Sequence, residues 1–190
     1  DEVGGPAFEY REPFFTEAFD KDWAARNRVN GASMHLDEST GGKVTYHPFV
    51  HTFDEIIPGS FYAEHPEYFS LLDGKRFAGY GQRCLSNPDV LKLAIDKVRE
   101  WIKTHPEAQI YSVSQNDCGN WCQCEACRAI TEKHGAHSGL YLWFVNQVAE
   151  AIEKDHPDKL IDTLAYQFTE APPKDIVPRK NVRVRLCPIA

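Results

Sequence analysis

The sequence predicts a parallel α/β fold, in its fuller form an incomplete (β/α)8, TIM-barrel-like domain spanning residues 1–190. Short β-like segments alternate with amphipathic helices along the whole chain, the pattern of parallel strands joined by crossovers. The β-branched run at 110–114 stops at Gln115, Asn116 and Asp117, as a strand does when it presents polar side chains at the carboxyl end of a parallel sheet. A long irregular excursion, residues 54–87, is of the kind that builds a cleft over a barrel mouth. About five strand–helix steps stand where a complete barrel has eight, so the first part of a larger barrel is expected, with an open sheet as the alternative. A missing half would expose sheet edges.

The elements follow in order. Phe8 to Phe14 reads as a first strand, and Asp20 as the N-cap of a helix running to about Asn30 and closed by Gly31. Ala32 to Leu36 is a short strand or loop. After the Gly41-Gly42 turn, the apolar run Val44 to Phe53 ends in the polar tip His51-Thr52. Asp73-Gly74 suggests a hairpin between 69–72 and 75–77. Asn87-Pro88 caps a helix with Val90, Leu91, Ala94, Ile95, Val98 and Ile102 at helical spacing. A strand at 109–114 leads into a cysteine-rich loop, then a helix over about 139–154. Strands at 160–166 and 182–187 follow, separated by the Pro172-Pro173 break.

Composition narrows the function classes. With 42% hydrophobic residues and 26% charged, the chain has the apolar material for a globular core. A net charge of −7 argues against a nucleic-acid partner, because phosphate binding needs a clustered basic face. Lys174, Arg179, Lys180, Arg183 and Arg185 form the basic cluster and read as a solvated edge. No run approaches the ~20 apolar residues of a membrane span.

Asp117 and Asn116 are the candidate catalytic residues: a carboxylic acid at a strand end protonates a leaving group while the adjacent amide orients the substrate. Their alternative is to cap a turn. Neighbours within a strand point to opposite faces, so both reach one site only if the strand has already ended. Cys118, Cys122, Cys124 and Cys127 are the candidate metal ligands, although their spacing differs from the paired C-x2-C units of a zinc ribbon. With Cys84 and Cys187 the count is six, which leaves structural zinc, disulfides and free thiols all open. Among candidate substrate-binding residues, His51 lies at a strand tip, and Arg11 would grip a substrate hydroxyl or pair with a carboxylate such as Asp117. Gln115, Tyr166 and Gln167 stand at strand ends facing the same opening, and Trp121 offers an apolar platform to a sugar ring. There is no Gly-rich phosphate loop, GxSxG elbow or HExxH, which removes nucleotide-binding, serine-hydrolase and zincin readings.

Several segments together resemble glycoside hydrolase family 163: Phe8-Glu-Tyr-Arg-Glu-Pro-Phe-Phe, Phe49-Val-His-Thr-Phe, His65-Pro-Glu-Tyr-Phe with Asp73-Gly-Lys-Arg, Cys84-Leu-Ser-Asn-Pro-Asp-Val, Ser112-Val-Ser-Gln-Asn-Asp, Cys122-Gln-Cys-Glu-Ala-Cys, Phe144-Val-Asn, Asp162-Thr-Leu-Ala-Tyr and Val184-Arg-Leu-Cys. The resemblance covers nearly the whole chain. It implies a (β/α)8 barrel in a secreted, periplasmic or cell-surface bacterial protein that acts as an endo-β-N-acetylglucosaminidase on complex N-glycans. It also implies substrate-assisted retaining chemistry, an exception to the two-carboxylate scheme that requires no cofactor. Asn116 or Asp117 would then hold the acetamido group, with Tyr166 bonding to it. One departure stands out: the family pattern places an acidic residue soon after the Leu186-Cys187 strand end, where this sequence reads Pro188-Ile189-Ala190. Two contrasting expectations therefore stay beside the enzyme, a non-catalytic glycan-binding barrel module and a zinc-stabilised interaction domain.

Overall fold

A computed structural model describes residues 6–188. In chain order the elements are α1 (Lys21–Arg26), α2 (Phe53–Ile56), β1 (Leu71–Leu72), β2 (Lys75–Arg76), α3 (Pro88–Thr104), β3 (Ile110–Ser112), α4 (Glu125–His134), α5 (His137–Asp155), β4 (Leu160–Ala165) and β5 (Val182–Leu186), with 3-10 turns between them. β3, β4 and β5 form a parallel sheet in that order, and Tyr46 adds a single parallel bridge beside Ile110. The fold is mixed α/β, and the sheet does not close into a barrel among the described residues. No helix is long and apolar enough to cross a membrane among those residues.

Register decides which side chains meet. Ile161 pairs with Tyr111 and Val182, and this face packs under α3 and α5, where Val98, Trp101, Val145, Val148 and Ile152 complete the main core. The period of 3.6 that places Val90, Ala94, Val98, Trp101 and Ile102 on one side of α3 is the stripe visible in the sequence. The cap is also as expected, with the Asn87 side chain accepting from the Asp89 N–H at 2.8 Å. α5 lies tight against the end of α4, since a Cβ at Gly139 would run into that of His134.

On the opposite face of the sheet, Ser112, Asp162 and Arg183 lie abreast. Residues 8–14 form no strand: the Arg11 N–H goes to the Asn30 side chain at 2.9 Å rather than to a ladder. This segment instead crosses the inner face. The Glu12 side chain is buried and accepts from Arg185 at 2.5 Å, while Glu9 pairs with Arg183. Arg185 also lies over the rings of Tyr10 and Phe49, 4.9 and 4.7 Å from their centroids. It is therefore no part of a solvated edge, because its side chain is only 12% exposed. Arg179, in contrast, stays at the surface on Glu153.

Other elements differ in extent. α1 stops at Arg26, well before Gly31, because Arg28 turns to positive φ; Asp20 nevertheless caps it, accepting from the Trp23 N–H at 2.7 Å. The Val44–Phe53 run makes only the Tyr46 bridge, and Pro48 within it has no N–H for a ladder. The hairpin at 71–76 is present, with positive φ at both Asp73 and Gly74 as a tight turn of this kind requires. Part of the supposed cysteine loop is helix: α4 begins at Glu125.

Candidate active site

Beyond β3 the chain stays buried through Ser114, Gln115 and Asn116, then surfaces at Asp117. It is held there by the segment after Tyr46. Thr52 donates its N–H to the Ser114 carbonyl at 3.2 Å and its hydroxyl to the Ser112 carbonyl at 2.9 Å, and the His51 N–H reaches the Ser114 hydroxyl at 2.9 Å. His51 adopts φ +61°, which turns its ring so that Nδ1 lies 2.8 Å from the Gln115 carbonyl. A carbonyl only accepts, so Nδ1 carries the hydrogen and Nε2 of the neutral ring is left as an acceptor.

Asp117 is gripped on two sides. The Tyr166 hydroxyl donates to its Oδ1 at 2.9 Å, and its own N–H donates to the Tyr80 hydroxyl at 3.0 Å. Gln167 Nε2 donates to the Tyr166 oxygen at 3.0 Å, and the His51 ring lies 5.9 Å from that of Tyr166. The Asp117 carboxylate pushes the Tyr166 phenol above its ordinary pKa, so the phenol remains a donor at neutral pH. Asp117, Tyr166, Gln167 and His51 thus converge at the carboxyl ends of neighbouring strands. Gln115 supports them from below: its Nε2 donates to the Tyr166 carbonyl at 2.9 Å and to the Thr169 hydroxyl at 2.8 Å.

Asn116 points the other way. Its Nδ2 donates to Asp54 Oδ1 at 3.0 Å and to the Gly81 carbonyl at 2.9 Å, its Oδ1 accepts from the Asp54 N–H, and it is 1% exposed. Both amide hydrogens are already used, so this side chain braces the strand end. The strand has ended at Ser112, and a turn closed by the Cys118 N–H on the Asn116 carbonyl at 2.8 Å carries Asp117 away from Asn116. Beneath it, buried Arg83 pairs with Asp54 and donates to the Ile57 carbonyl at 2.7 Å and the Gly81 carbonyl at 2.8 Å. Gln82 bridges the Asn116 and Cys118 carbonyls at 2.9 and 2.7 Å. Sequence reasoning did not single out Tyr80, Gln82, Arg83 or Asp54. Apart from the Arg83 bond to Gly81, their partners lie 26 to 62 residues away in the chain, beyond any local pattern.

Two expected residues lie apart from this cluster. Arg11 donates to the Phe8 carbonyl at 3.0 Å in the N-terminal segment and makes no described contact with Asp117. Trp121 packs against His137 and Phe168, with centroids 4.5 and 5.1 Å away, and lines a shallow cavity of about 170 Å³ with Gln123, Arg128 and Glu132. The cysteines also regroup. The Sγ atoms of Cys84, Cys122, Cys124 and Cys127 all lie within 4.8 Å of one another, a cluster able to hold a metal ion. Cys118 stands outside it, 3.5 Å from Gln82 Nε2, and Cys84 takes its place. No cysteine among the described residues is in a disulfide.

Fold and site together define a mixed α/β protein with a carboxylate–phenol pair at the carboxyl end of a parallel sheet and a four-thiol cluster in the adjoining loop. The chain belongs to the family described as Domain of unknown function (DUF4838), whose model matches residues 2–190. No curated protein matches the chain.

Proposed function

We propose that this protein is a glycoside hydrolase acting on N-acetylglucosamine-containing glycans, of the endo-β-N-acetylglucosaminidase kind, with β3, β4 and β5 forming part of a (β/α)8 barrel. The observation that carries the reading is Asp117, an exposed carboxylate held by Tyr166 at 2.9 Å where parallel strands end. In a substrate-assisted reaction the acetamido oxygen attacks the anomeric carbon as the bond to the departing oxygen breaks, closing a cationic oxazolinium ring. Water then opens that ring, and the configuration is retained. The amide nitrogen gains positive charge along the way, so a fixed carboxylate accepting its N–H favours the transition state over the ground state. Asp117 fills that role, and the departing oxygen takes its proton from a separate acid.

On this assignment Tyr166 aims the carboxylate, Gln167 aims the phenol, and His51 Nε2 accepts from a sugar hydroxyl. Gln115 and Asn116 hold the two strand ends from within. The chemistry needs no metal; zinc in the thiol cluster would serve architecture. The exported location and the complex N-glycan substrate rest on the family resemblance. A second reading, a glycan-binding module without turnover, is favoured by Asp117 being the one carboxylate bonded to Tyr166 among the described residues. Incubation with a glycoprotein bearing complex N-glycans, followed by mass spectrometry of both products, separates the two. Released glycans that leave one N-acetylglucosamine on the protein support the enzyme. Glycan binding without release supports the module.

A further inference from the structure

The four clustered sulfurs come from two separate stretches of chain, Cys84 and the segment 122–127. Cys84 lies near the end of the excursion and is fixed by its N–H to the Tyr68 carbonyl at 2.8 Å. Cys122 and Cys124 belong to the loop that carries Asp117 and Trp121, and Cys127 lies in the first turn of α4, with Cys124 as its N-cap. The Cys84 sulfur is 3.6 Å from that of Cys124 and 3.9 Å from that of Cys127. Four thiolates around one zinc at Zn–S of roughly 2.3 Å form a tetrahedron whose S···S edges are about 3.8 Å. Disulfides would need two pairs each closed to about 2.05 Å, not four mutually near sulfurs.

We propose that Cys84, Cys122, Cys124 and Cys127 bind a single structural Zn²⁺, with Cys118 outside the ligand set. A closed site with four protein ligands has no open position for water, so it is architectural and not catalytic. Four thiolates and one dication leave two negative charges, and the surroundings supply donors for them. The Leu71 N–H reaches the Cys122 sulfur at 3.3 Å, the Ser86 hydroxyl the Cys127 sulfur at 3.1 Å, and the Arg76 guanidinium stands 3.9 Å from the Cys122 sulfur. The amino end of α4 adds its dipole to the same side. Binding exchanges each remaining thiol proton for the metal and releases it to solvent. The ion ties the end of the excursion at Cys84 to the Asp117 loop and α4. The inference stands independently of the glycosidase reading, since its readout is metal and thiol chemistry.

The test begins with the whole protein purified without chelators, supplied with zinc and desalted, and its metal measured by mass spectrometry. One zinc per chain is expected, and Co²⁺ exchange should give the charge-transfer and d–d bands of a tetrahedral tetrathiolate. Cys118→Ser should keep one metal per chain, and Cys84→Ser should lose it. Should Cys84→Ser not fold, alkylation of the native wild type with peptide mapping decides: Cys118 reacts at once, while Cys124, which is partly exposed, reacts only after a chelator is added. Absence of bound metal, iron in place of zinc, loss of metal from Cys118→Ser, or chelator-independent alkylation of Cys124 would each overturn the proposal.

Discussion

Replacing Asp162 by Asn probes the inner face of the sheet, where a carboxyl group has been taken fully out of water. Burial pushes Asp162 up to about 7, against the hydrogen bonds from Ser112 at 2.8 Å and Tyr46 at 3.0 Å, which favour the charged form. In the unfolded chain an aspartate titrates near 3.9. The folded state therefore holds its proton more tightly, so this group's contribution to stability is complete below about pH 4 and is lost as pH rises through about 7. A gap of about three units at 1.36 kcal/mol per unit is worth on the order of 4 kcal/mol. Asparagine keeps the shape and an acceptor but does not ionise. Urea unfolding of both proteins from pH 4 to 8 should show the wild type losing several kcal/mol relative to Asp162→Asn across that range. Parallel stability curves would instead mean that Arg185 and the two hydroxyls compensate the buried charge in full.

Arg83→Ala should destabilise the fold by about 3 kcal/mol in chemical denaturation, because the Ile57 and Gly81 carbonyls lose a buried donor. Half-exposed Asp54 keeps some access to water, which limits the cost of unpairing it. Tyr166→Phe removes the hydroxyl that aims Asp117 while leaving the ring. If the proposed reaction holds, turnover should fall about tenfold to a hundredfold with unchanged thermal stability, as measured by steady-state kinetics beside a melting curve.

Much of this architecture is legible locally. The Asn87-Pro88 cap, the apolar stripe of α3 and the Asp73-Gly74 turn are set by residues within a few positions of one another, and each appears where the sequence places it. The expectations that changed depend on distant partners. Residues 8–14 alternate like a strand, yet Glu9 and Glu12 are claimed by Arg183 and Arg185 some 170 residues on. The same pairing removes Arg185 from the surface that its basic neighbours suggested. Cys118 reads as a ligand because it is close in sequence, whereas Cys84 joins the sulfur cluster because the excursion folds back. The triplet Cys122-x-Cys124-x2-Cys127 at a helix start was the available clue. Asn116 and Asp117 separate although the strand has already ended at Ser112, because the chain turns at Asp117. Which of the two is exposed is decided by Asp54, Gly81 and Gln82, and no local pattern encodes that.

The central claim, that Asp117 carries hydrolysis of a glycan, is tested most directly by comparing the wild type with Asp117→Asn on a glycoprotein bearing complex N-glycans, with mass spectrometry of the protein and the released sugars. Wild-type release should leave a single N-acetylglucosamine on asparagine, and the variant should lose at least a hundredfold in rate with its folding unchanged. Release by the variant at the wild-type rate would remove Asp117 from the chemistry, and no release by the wild type would contradict the enzyme itself.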